Sequence, residues 1–338
     1  MTAPIVDAHL DLASNVLGGR DYTLEVAEIR AAEQRTDHQC TVSLPALRKA
    51  GVAVAFATLF VGPSSWADDG EPVYETPPWD RARAQLAIYR GWERDGRVRV
   101  ITSRRTLDAH LDQWARDSVM GLVILIESAD SIERPSDLGE WFAAGVRLIG
   151  PAWSRTRYAG GTRRPGGLTE LGRDLVGRMA DIGIPLDASH LAEEAFWQAL
   201  EIGNHALCAS HSNARAIVDT DRQLTDEMIS AIGRADGVIG LNLYNHFLHP
   251  AWADDDRGTE VTLADVRRHA DHIAGLIGWH SVGIGSDLDG GLGLEETPVE
   301  IETVADLVKL GEVAPAQMAE GVLGANWLRW LRQSLPAT

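Results

Sequence analysis

The chain has 338 residues, 45% of them hydrophobic and 24% charged, with a formal net charge of -18. No apolar stretch is long enough to cross a bilayer, and the negative charge opposes phosphate backbones and anionic membranes; nucleic-acid and membrane partners are therefore excluded and a small-molecule substrate is expected. Cys40 and Cys208 are too few for a disulfide framework, and the N-terminus shows no basic and apolar leader, so a reducing cytoplasm is the expected location.

Short apolar, β-branched runs alternate with segments of helical period, the pattern of repeated βα units. Eight such runs are read in chain order: residues 4–11, 52–60, 121–128, 145–153, 184–190, 206–212, 237–245 and 281–289. Between them, residues 80–96, 168–183, 224–237 and 263–280 read as helices, several closing on glycine. Eight strands with eight crossovers predict a (β/α)8 TIM-like barrel, with a doubly wound open sheet as the alternative. One hydrolase-sized domain over residues 1–338 accommodates this pattern. The connection over residues 61–120 carries "VGPSSWADDGEPVYETPPWD" and is expected to form a loop or lid.

The runs end on polar side chains. His9 and Asp11 close the first and alternate to one face, Glu127 closes the third, His190 and His211 the fifth and sixth, and Asp287 the eighth. In a barrel all six lie on one rim, where active sites are built. A lone histidine at such a place is more often structural. Three histidines and three carboxylates together are hard to satisfy as separate buried groups, whereas a shared metal centre satisfies most of them. Imidazole and carboxylate without thiolate suit Zn²⁺ or a similar ion, and five ligands exceed one tetrahedral zinc, so two ions bridged by Glu127 are expected, with Asp287 left to handle a proton. No Walker A, H-E-x-x-H or G-x-S-x-G pattern is present.

The stretches "DAHLD", "IES", "GLTELGRDLV", "GIPLDASH", "ASHSNARA", "GIGSDLDG" and "GANWLR" stand in order along residues 5–330. Together they resemble the renal (membrane) dipeptidase family of binuclear zinc peptidases, relatives of the amidohydrolases. The resemblance implies His9 and Asp11 on one zinc, His190 and His211 on the other, and Glu127 between them. It further implies that a metal-bridging hydroxide cleaves the amide bond of a dipeptide, L- or D- at its C-terminal residue, that Asp287 receives the proton, that Arg222 pairs with the free carboxylate, and that the protein is a homodimer.

The chain departs from the family at "PAW", where many members carry "LTH". Trp153 thus replaces a histidine held to stabilise the oxyanion; its indole N–H can donate one hydrogen bond but cannot become cationic. Trp153 either donates to the substrate or packs in the pocket wall, and Arg155, Arg157 or Tyr158 are candidates to compensate. For Arg222 the bland alternative is a surface pair with Asp219 or Asp221. His246 and His249 are candidates for the pocket mouth. Two further readings stay open: a binuclear hydrolase of another amide, lactone or phosphoester, and a metal-stabilised barrel that binds peptides without cutting them.

Overall fold

The computed structural model describes residues 3–68, 70–203, 206–253 and 258–338. All eight apolar runs enter one parallel sheet: β1 (Ile5–Leu10), β2 (Val52–Phe60), β3 (Met120–Glu127), β4 (Val146–Gly150), β5 (Leu186–Asp187), β6 (Leu207–Cys208), β7 (Ile239–Leu241) and β8 (Val282–Ile284). Their order is β6-β5-β4-β3-β2-β1-β8-β7, and a parallel bridge between Ala209 and Ile239 joins the two ends. That closure makes a (β/α)8 barrel and removes the open-sheet alternative. A ninth short strand, Val98–Val100, pairs with the start of β3.

The helices lie where the period places them. Pro78–Arg94, Glu170–Ile182, Asp226–Arg234 and Leu263–Ile277 occupy the four segments read as helical. Thr169, Thr225 and Thr262 cap the last three by accepting a first-turn N–H, which satisfies a donor that the helix leaves open. Gly183 takes φ 80° to end the second, a conformation that favours glycine.

Residues 61–120 are less loop-like than expected. A small hairpin pairs Ser65–Trp66 with Pro72–Val73, and the helices Pro78–Arg94 and Arg104–Asp117 fill most of the remainder. Near the base, Phe56 packs edge-on against Trp327 of the last helix, whose indole N–H donates to the Ile284 carbonyl at 2.9 Å. The rings close one end of the barrel and leave the other for chemistry.

Candidate active site

Local hydrogen bonds turn the strand ends inward. Asp187 ends β5, and its Oδ1 accepts the N–H of Ser189 at 3.0 Å and of Ser210 at 2.8 Å. Asp7 does the same in β1, taking the N–H of His9 at 3.3 Å and of Ser286 at 2.8 Å. Each buried carboxylate thus ties its own strand to the segment leaving the neighbouring strand of the barrel, the short-range half being an Asp bond to the backbone two residues on. A register shift in β1 between Asp7 and Leu10 helps aim His9 and Asp11 inward. His190 and Asp287 then adopt φ of 65° and 60°, left-handed values that cost energy for any residue except glycine.

The six rim residues are all buried and converge. Glu127 Oε2 lies 3.2 Å from His9 Nε2, while Oε1 lies 3.2 Å from His190 Nε2 and 3.5 Å from His211 Nε2. Two donor groups therefore share this carboxylate: His9, Asp11 and Glu127 on one side, Glu127, His190 and His211 on the other. Asp287 Oδ1 is 3.8 Å from His9 Nε2, and its Oδ2 accepts from Asn242 Nδ2 at 2.9 Å. Behind the site, Ser210 Oγ lies 3.3 Å from His9 Nδ1 and 2.8 Å from His211 Nδ1, Thr162 Oγ1 lies 3.0 Å from His190 Nδ1, and Thr58 donates to Asp11. Such outer partners turn each Nε2 toward the centre.

The electrostatics match a site built for cations. Burial, with Glu127 adding to it, lifts Asp11 to about 6. Burial, reinforced by Asp11 and Glu127 against His9, lifts Asp287 to about 8. Desolvation opposes a charge on His9, yet Glu127, Asp287 and Asp11 outweigh it and raise this group to about 10. Burial and the Arg222 guanidinium depress His190 to about 3, and burial with His9 holds His211 well below the usual range. Carboxylates that repel one another, beside two imidazoles held neutral and a third that takes up a proton as their counter-charge, are the arrangement that a dication relieves. His9 Nε2 is buried, and neither Glu127 at 3.2 Å nor Asp287 at 3.8 Å meets it in hydrogen-bond geometry, which fits a metal-ligand atom.

Above this floor opens a cavity of about 1140 Å³. Arg222 reaches it from below and is only 3% exposed, so the surface pair with Asp219 or Asp221 is not what forms. Instead its guanidinium donates to Ser212 Oγ at 2.9 Å and to the His211 carbonyl, leaving its buried Nε–H without a partner. Trp153 is 36% exposed on the cavity wall, edge-on to Phe60 at 5.3 Å and 6.2 Å from the His190 ring. The candidates to compensate for it lie elsewhere: Arg155 pairs with Glu71, Arg157 with buried Asp130, and Tyr158 donates to the Ile132 carbonyl at 2.7 Å. His246 lines the cavity, whereas the His249 ring accepts a local bond from Ala251 N–H.

The model of the membrane dipeptidase family, peptidase family M19, matches residues 1–336. The chain belongs to that family. It is a metallohydrolase of the dipeptidase type. A Klebsiella pneumoniae relative described as "Uncharacterized protein in pqqA 5'region" is 34% identical over 252 residues, covering 70% of this chain and 89% of its own. A Claviceps purpurea relative, dipeptidase tcpJ, is 29% identical over 175 residues, 49% of this chain and 38% of that one, so this chain spans well under half of its length. Among solved structures, the dipeptidase AC, a metallopeptidase of family M19, superimposes with a TM-score of 0.83 at 26% identity over 100% of both chains. A Rhodobacter sphaeroides metallopeptidase liganded with a phosphinate mimic of L-Ala-D-Ala does so at 0.80 and 28% identity, over 99% of this chain and 100% of that one.

Membership in the dipeptidase family makes the remaining cavity residues of interest, and sequence reasoning passed over most of them. Asn242, Ser189, Ser210 and Ser212 carry the bonds behind the rim, and the last three stand inside the quoted "DASH" and "ASHS" stretches, where repeated hydroxyls beside histidine were the available signal. Trp66, Arg163 and Arg164 reach the cavity from two hairpins that no local pattern announced.

Proposed function

We propose that this protein is a zinc-dependent dipeptidase that hydrolyses the amide bond of a small dipeptide bearing a free C-terminal carboxylate, with residues 1–338 acting as one hydrolase domain. The observation that carries this reading is the pair of three-residue donor groups sharing Glu127 on the floor of one cavity. His9 and Asp11 would hold one ion, His190 and His211 the other, and Glu127 would give an oxygen to each. When bound, zinc supplies Lewis acidity that polarises the scissile carbonyl and brings the pKa of water to about 7.

The protein's own groups do the rest. Asp287 takes the proton of the attacking water at Oδ1, since Oδ2 is held by Asn242, and delivers it to the nitrogen of the leaving residue. Arg222 offers its unpartnered Nε–H, on a planar fork suited to a carboxylate, to the substrate's C-terminus. Trp153 flanks the reacting bond from the wall. The reading includes a D-residue at the C-terminal position, on the strength of the ligand named for the Rhodobacter sphaeroides neighbour. It also includes the cytoplasm, in keeping with two buried free thiols, and a homodimer, on family resemblance. No helix among the described residues is long and apolar enough to cross a membrane.

The test is hydrolysis of L-Ala-L-Ala and L-Ala-D-Ala by zinc-loaded protein, with metal content measured alongside and Glu127→Ala prepared in parallel. Cleavage with two zinc ions per chain, lost with metal in the variant, is expected. Two bound zinc ions with no dipeptide cut would refute the dipeptidase reading. Trp153 would then direct the search to another amide, a lactone or a phosphoester.

A further inference from the structure

The charges around the cavity are unevenly committed. Among those lining its outer part, Arg20 is held by Glu33 at 2.8 Å and by Asp289 at 3.0 Å, and Arg35 faces Asp37 at 3.6 Å. Asp221 accepts the backbone N–H of Arg163 at 2.7 Å. What is left over is cationic. Arg163 and Arg164 line the same cavity, and among the described residues neither guanidinium has a carboxylate within 4.0 Å.

Their position is fixed rather than incidental. Both sit at the turn of the hairpin formed by Ala159–Gly161 and Arg164–Leu168. The residue before them, Thr162, bonds the His190 ring, and the Arg163 N–H bonds Asp221, next in sequence to Arg222. One turn is thus fastened both to the metal-type cluster and to the segment that carries the carboxylate-binding arginine. Arg163 adopts φ 62°, a conformation unfavourable for a side chain with a Cβ, which is tolerated where surroundings hold it. Arg164 lies over the Trp66 ring at 3.9 Å, so the opposite hairpin holds the second guanidinium at the mouth.

A dipeptide has one C-terminal carboxylate, and Arg222 accounts for it. Resting on the dipeptidase reading above, we infer that Arg163 and Arg164 select dipeptides with an acidic side chain, Asp or Glu, on the C-terminal residue, the one whose carboxylate Arg222 holds. The placement follows from the Arg163–Asp221 bond, which seats the turn beside the Arg222 segment. Both guanidiniums retain solvent contact, so their pull is screened and the selection is moderate.

The experiment compares kcat and KM of the zinc-loaded protein for isosteric pairs: Ala-Asp against Ala-Asn, and Asp-Ala against Asn-Ala, each in the C-terminal configuration that the protein accepts. Ala-Asp should exceed Ala-Asn in kcat/KM by about tenfold, chiefly through KM, with no comparable gap in the reversed pair. The double variant Arg163→Gln/Arg164→Gln should bring the ratio close to one, and Arg163→Glu/Arg164→Glu should invert it; Ala-Asn turnover reports whether each variant is folded. Equal or better cleavage of Ala-Asn by the unaltered protein, a preference that survives both double variants, or a larger gap in the reversed pair would overturn this inference while leaving the dipeptidase reading intact. No cleavage of any of the four peptides would overturn this inference alone if Ala-Ala is cut, and both readings if it is not.

Discussion

Replacing Ser210 by alanine should weaken both metal positions at once. Its Oγ is the outer partner of His9 and of His211, one from each donor group. For both rings to turn Nε2 inward as lone-pair donors, both Nδ1 atoms must carry hydrogen and donate into Oγ, which has two lone pairs to accept them. The hydroxyl proton is then directed to Ser189 Oγ at 3.3 Å. Ser210→Ala leaves two buried ring N–H groups without an acceptor. Loss of one such partner lowers metal affinity by roughly 10–100-fold, or about 1.4–2.8 kcal/mol, and here the loss falls on each ion. Competition with a chromophoric chelator reads both affinities, and chemical denaturation of the metal-free variant separates weakened binding from unfolding. Thr162→Val is the matched comparison, because Thr162 touches only the His190 ring and should weaken one position alone. Two zinc affinities within threefold of the unaltered protein in Ser210→Ala, or a loss confined to one ion, would refute the shared-hydroxyl argument.

Other expectations concern the scaffold. Asp289 accepts from Tyr22 Oη, Thr41 N and Thr41 Oγ1 at 2.7 Å each and shares Arg20 with Glu33, so Asp289→Ala orphans three buried donors while leaving Arg20 its second carboxylate, and should lose about 2–4 kcal/mol in urea unfolding; a loss below about 1 kcal/mol would count against it. His269 is buried, accepts Ala214 N–H at Nδ1 and faces the Leu248 carbonyl through Nε2, and burial lowers it from 6.5 to about 4. The unfolded chain therefore binds the proton first, and stability present above pH 6.5 drains as pH falls toward 4, by about 2–3 kcal/mol at pH 4.5. His269→Gln should flatten that part of the pH-stability curve, and identical slopes for both proteins would contradict the assignment. Trp327→Ala should cost about 3–5 kcal/mol, since it empties the base of the barrel and orphans the Ile284 carbonyl; calorimetry showing an unchanged transition would disprove that role.

Much of this was legible in the chain itself. Runs such as "VAVAFATLF" and "GLVILIES" are apolar almost throughout, polar only toward their carboxyl ends, because both faces of a parallel strand are covered, and all eight runs became barrel strands. The polar residues that close them found one rim because barrel topology brings every strand's carboxyl end to the same side. Strand length was not legible: the run 184–190 yields a ladder of only Leu186–Asp187, after which Asp187 draws the backbone into the turn that presents His190. Nor did local pattern reveal that Arg222 is buried against Ser212 rather than paired with Asp221, or that Arg157 and Tyr158 turn away from the cavity.

The sequence by itself determined which segments pair as strands, which residue types meet at their ends and which family the chain resembles. Those properties are carried by apolar periodicity and by side-chain chemistry, both of which are local. The tertiary structure alone decided which oxygen of Glu127 faces which histidine, that one serine serves two of them, and that two hairpins far apart in the chain bring Trp66 and two arginines to one mouth. These depend on contacts between residues separated by tens to hundreds of positions, and closure of the barrel fixes such distances all together.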